Sequence, residues 1–112
     1  MPEFTIYHSN SIGNKANCLY PHKVTVTDEM SFKEAVSKDH ICAQFQNNYR
    51  SEKNFISADC IQMDCDNTFS DNPVDWKLPE DVENTFPNVM FAVCYSRNHM
   101  KEKNGTKARP RF

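Results

Sequence analysis

Asp64 and Asp66 are the residues of this 112-residue chain whose type and spacing could do chemistry. They sit in Asp59-Cys-Ile-Gln-Met-Asp-Cys-Asp-Asn-Thr68, which reads as a half-buried strand. Successive strand side chains alternate faces, so Ile61, Met63 and Cys65 are expected inward and Cys60, Gln62, Asp64 and Asp66 outward. Two carboxylates at i and i+2 then share a face, roughly 7 Å apart along the backbone. Their repulsion is relieved by a cation, and oxygen ligands suit Mg²⁺ or Mn²⁺. The plainer alternative is an Asp-x-Asp that opens a solvated turn and holds no metal.

A second group of charges lies at the other end of the chain. Up to residue 96 there are 7 basic against 14 acidic residues, and from Arg97 onward 6 basic against Glu102 alone. The late cations are Arg97, Lys101, Lys103, Lys107, Arg109 and Arg111, with His99 among them. Such asymmetry points to a nucleic-acid or phosphate contact, and a solvated basic tail is its competitor. An acidic pair facing a basic loop suits a metal-bound nucleotide triphosphate, the carboxylates holding the ion and the cations the phosphates. Tyr49, Arg50 and Lys53 in the polar segment before the aspartates are further ligand contacts or ordinary loop residues.

The elements that would position these groups follow from pattern. Phe4–Tyr7, Lys23–Thr27 and His40–Phe45 read as strands. Residues 8–17, with Gly13, read as a loop. Ser31-x-x-Glu34 reads as a capping box, with Met30 stapled to Ala35, starting a short helix from Phe32 to Ser37. Its buried stripe would be Phe32, Ala35 and Val36. Pro79 suits the first position of a second helix that Pro87 stops, and Glu80, Asp81 and Glu83 suit its positive N-terminal end. Val89-Met-Phe-Ala-Val-Cys-Tyr95 reads as a buried central strand beside the aspartates, with an exit loop that delivers the basic residues to them. The expected fold is α/β (α+β), a mixed sheet with helices on one face.

One modest core fits this length, so residues 1–112 read as a single domain, with 1–54 an N-terminal part and 55–112 the start of a catalytic core. No apolar run approaches the roughly 20 residues of a membrane span, and the N-terminus has no basic-then-apolar leader. Five scattered cysteines, an odd number without a Cys-x-x-Cys knuckle, favour reduced thiols in a cytoplasmic protein. A zinc site mixing distant Cys with His8, His22, His40 or His99 gains little from the spacing.

Ala58-Asp-Cys-Ile-Gln-Met-Asp-Cys-Asp-Asn67, Phe91-Ala-Val-Cys-Tyr-Ser-Arg-Asn-His-Met-Lys101 and Ala108-Arg-Pro-Arg-Phe112 together resemble the N-terminal part of archaeo-eukaryotic-type primases. The resemblance is to the primase-polymerase domains of phages and mobile elements, and it includes Asn47-Asn-Tyr-Arg50. It implies an RRM-like sheet in which Asp64 and Asp66 hold the catalytic metals for starting or extending a primer. Nucleotide triphosphate and single-stranded DNA would be the partners.

The sequence also departs from that family's pattern. The small-x-His signature and the later acid that complete such a site are absent, and His99 comes too early for that His. Two carboxylates alone are an incomplete metal clamp. The isolated chain is therefore not expected to polymerise, whether it is a fragment or a natural short protein. The alternative function is a small phage protein derived from this fold, an anti-CRISPR type of inhibitor of a host nuclease or defence complex. It would act through its acidic surface, which can mimic DNA phosphates, or through its basic tail, and a retained metal, Mg²⁺ at the aspartates or Zn²⁺ at Cys and His, would be structural. A homodimer through an open sheet edge is also expected.

Overall fold

The alternation of Phe4-Thr-Ile-Tyr-His8 produces strand β1 (Phe4–His8), the centre of a three-stranded antiparallel sheet. Its neighbours are β2 (His22–Val26) and β3 (His40–Ile41). The register Phe4↔Val26, Ile6↔Val24 puts four apolar side chains on one face. Helix α1 (Glu29–Val36) covers that face: Ile6, Val26 and Ala35 are buried, with Phe4, Val24, Phe32, Val36 and Cys42 packed around them. Full burial of a side chain such as Val26 contributes about 1.5–3 kcal/mol.

The computed structural model describes residues 3–112. They divide into two compact units, Met1–Gln62 and Met63–Phe112, later than the boundary read between 54 and 55. The fold is mixed α+β, with strands paired antiparallel in sheets of three and two. Among the described residues no helix is long and apolar enough to cross a membrane.

In the first unit the helix start differs from the expectation. The N-cap is Asp28, whose carboxylate accepts from Ser31 N–H at 2.8 Å while Ser31 Oγ accepts from Asp28 N–H at 3.1 Å. Ser31 is thus the inner half of the box, because Asp caps as well as Ser and stands three residues earlier. Met30 is 80% exposed and staples nothing. The predicted strand His40–Phe45 breaks at Cys42, and β4 (Ala43–Phe45) pairs instead with β5 (Phe55–Ala58). Asn47 and Asn48, both with left-handed φ (59° and 57°), turn the chain so that Tyr49 bridges to Leu19. Asn tolerates that region better than most residues.

The second unit carries a short 3-10 turn (Pro73–Asp75) and one α-helix, α2 (Pro79–Thr85), with Pro79 in its first turn as expected. Two strand expectations fail here. Residues 59–68 form no strand, and Ile61 and Met63, expected inward, are 91% and 65% exposed. Val89–Tyr95 is neither buried nor central: Val89, Met90, Phe91, Val93 and Tyr95 are exposed, and no described strand pairs with it. Apolar, β-branched composition makes a segment prefer extension, but burial requires neighbouring backbone and a covering layer. Nor does the run lie in a ladder beside the aspartates, as the sequence led us to expect.

Candidate metal and nucleotide site

The segment after the aspartates is fixed by Asn67. It is buried, has a left-handed φ of 54°, and its side chain does the work of a missing strand. Its Nδ2 donates to the carbonyls of Lys77 (3.0 Å) and Pro110 (2.9 Å), and its Oδ1 accepts from Lys77 N–H at 2.7 Å. Sequence reasoning missed it. The available signal was an Asn, a residue tolerant of left-handed backbone, immediately after Asp-x-Asp.

The C-terminal residues run between the acidic segment and the basic loop. Cys65 and Phe112 exchange both backbone hydrogen bonds, at 2.7 and 3.1 Å. On the other side Ser96 N–H donates to Arg111 O (2.9 Å) and Met100 N–H to Arg109 O (2.8 Å). His99 Nδ1 accepts from Arg111 N–H at 3.1 Å, which leaves the proton of the neutral ring on Nε2. The ring also packs on Tyr95, 4.2 Å between centroids. Thus Cys65–Asn67, Ser96–Met100 and Arg109–Phe112 are joined in one unit.

Arg109 and Arg111 occupy a different place from the one expected of nucleic-acid contacts: they are 0% and 1% exposed. Arg109 Nη1 donates to the carbonyls of Asn67 (2.7 Å) and Ser70 (3.0 Å), Nε to Lys107 O (3.0 Å), and Nη2 pairs with Asp71. That hydrogen bond holds the Asp71 carboxyl below its usual range. Arg111 donates to Asp66 O (3.3 Å) and Thr106 Oγ1 (3.0 Å), while its buried Nε has no partner among the described residues. A short unit without a paired sheet needs such donors to satisfy carbonyls that no ladder reaches.

Outward contacts therefore fall to the other cations. Arg97, Lys101 and Lys107 are exposed, and Lys103 is half-buried. Lys103 and Thr106 pair across Asn104–Gly105, both with left-handed φ (50° and 78°). This Asn-Gly pair is the sequence signal of a two-residue hairpin turn. Lys107 lies 5.8 Å from the centre of the Trp76 ring, and the Arg109 guanidinium 5.6 Å from it.

Asp64 is exposed and Asp66 half-buried. Among the described residues neither carboxylate takes part in a hydrogen bond or an ion pair, so their oxygens remain available to a hard cation. Among the same residues no group of three or more His, Cys, Asp or Glu could hold a metal. Without a strand at 59–68 the shared face expected of Asp64 and Asp66 no longer follows, and two carboxylates supply only part of the roughly six oxygens that Mg²⁺ or Mn²⁺ takes. A zinc site mixing Cys and His would likewise need three or four such ligands. Burial raises the Cys65 thiol, keeping the residue between the aspartates neutral.

Tyr49 and Arg50 belong to the first unit and are exposed. Arg50 lies 5.6 Å over the Tyr20 ring and lines an open cleft with Phe45, Ser51, Glu52 and Phe55.

No family model, curated protein or solved structure matches the chain.

Proposed function

We propose that this chain supplies the acidic pair and the cationic loop of a primase-polymerase-type nucleotidyl-transfer site. One observation supports the reading above others. The three segments that carry the resemblance, at the aspartates, at Ser96–Lys101 and at Ala108–Phe112, are bonded to one another through Cys65, Ser96, Met100 and His99. In this reading Asp64 and Asp66 hold Mg²⁺ or Mn²⁺, which when bound polarises the triphosphate and offsets its charge. Arg97, Lys101, Lys103 and Lys107 attract the phosphates and the single-stranded template. His99, its Nδ1 occupied by Arg111 N–H, offers only an Nε2 proton to a phosphate oxygen. Arg111 clasps the Asp66 carbonyl and acts on the site by positioning that residue.

Mn²⁺ titration of the wild type against Asp64→Ala/Asp66→Ala, followed by calorimetry or Mn²⁺ paramagnetic relaxation, tests the reading. We expect binding that the double substitution abolishes while the far-ultraviolet dichroism stays unchanged. Equal affinity in both proteins would remove the acidic pair from any role in metal binding.

A further inference from the structure

Val89-Met-Phe-Ala-Val-Cys-Tyr95 contains no charge, no Gly and no Pro. No turn or bend interrupts it, and from Phe91 to Tyr95 its exposure alternates. Phe91, Val93 and Tyr95 are exposed, while the small Ala92 and Cys94 are half-buried. This is the period of an extended strand whose larger side chains face outward. Among the described residues no strand pairs with it, and no backbone hydrogen bond joins Met90, Phe91, Ala92 or Val93 to another element. A long apolar segment with open backbone groups is a template for another strand.

We propose that the occupant is a second copy of this chain, paired antiparallel about a two-fold axis at Ala92. In that register Ala92 meets Ala92, Phe91 meets Val93, Val89 meets Tyr95, and Met90 meets Cys94. Every facing pair is apolar, and each copy contributes two aromatic–β-branched pairs, which favour sheet pairing. The flanking charges select the orientation. Glu80, Asp81 and Glu83 of α2 precede the run, and Arg97, Lys101 and Lys103 follow it. Antiparallel pairing sets the acidic flank of each copy beside the basic flank of the other, twice; parallel pairing sets like beside like. A two-fold interface has this self-complementary character. Seven residues alone cover less than the roughly 800 Å² per partner of a stable complex, so the charged flanks take part and the dimer is reversible.

Sedimentation velocity over a hundredfold concentration range should show monomer passing to dimer, with the transition moved to higher concentration by salt. Met90→Lys should hold the protein monomeric and, because Met90 is largely exposed, should leave the circular dichroism unchanged. Independently, Ala92→Cys is incubated with oxidised glutathione. Two protein thiols and one glutathione disulfide give one intermolecular disulfide and two glutathione thiols, and peptide mass spectrometry should find the 92–92 link. A monomer at every concentration, a dimer that survives Met90→Lys, or linkage mainly through other cysteines would overturn the proposal.

Discussion

Arg109→Met removes a buried guanidinium while keeping most of the side chain's apolar volume. The substitution deletes the donors to the carbonyls of Asn67, Ser70 and Lys107. Hydrogen bonds to a charged donor are worth about 1.5–3 kcal/mol each, and they do not add fully. The Asn67 carbonyl belongs to a buried residue and would be left unpaired. Together we expect a loss of about 3–5 kcal/mol, the range for breaking a buried charged group's interactions. That is a large part of the roughly 5–15 kcal/mol that holds a typical domain. Trp76, the single tryptophan, reports on it directly, because its Nε1 donates to Ser70 O at 2.9 Å and Arg109 lies against its ring. Urea unfolding followed by Trp76 fluorescence should move its midpoint down by about 2 M. Arg109→Lys should also lose stability, since one ammonium cannot reach acceptors set so far apart. A midpoint within about 0.3 M of wild type for Arg109→Met would refute the structural assignment and return Arg109 to the phosphate-binding group.

Two further measurements follow. Burial, joined by the hydrogen bond with Cys42 and the nearby Asp59 carboxylate, pushes the Cys60 thiol from 9.0 up to about 12. The folded chain therefore binds that proton more tightly than the unfolded one; the stability it contributes is full below about pH 9 and is lost as pH rises through 12. At pH 8 about a thousandfold less thiolate should make Cys60 alkylate far more slowly in the folded protein than in urea, and equal rates would contradict this. For single-stranded DNA, the four outward cations predict a salt slope near −3 at about −0.7 per phosphate. A slope near −4 would require Arg109 and Arg111 to leave their buried places, and no binding at low salt would reject the basic loop as a nucleic-acid contact.

The sequence by itself determined what local chemistry controls. Alternation in Phe4–His8 and Lys23–Val26, the Phe32, Ala35 and Val36 stripe, and Pro79 before Pro87 each dictate their element through nearest neighbours in the chain. Asp28 displaced Ser31 as the cap through a choice of equal local merit. Tertiary structure decided the rest, because burial depends on which segments are present to cover a surface. Val89–Tyr95 carries every mark of an interior strand, yet lies open among the described residues. Arg109 and Arg111 look like surface cations and are the best-buried large side chains among the described residues. A guanidinium's charge marks it for water until several carbonyls with no other donor surround it, and only folding brings those carbonyls together.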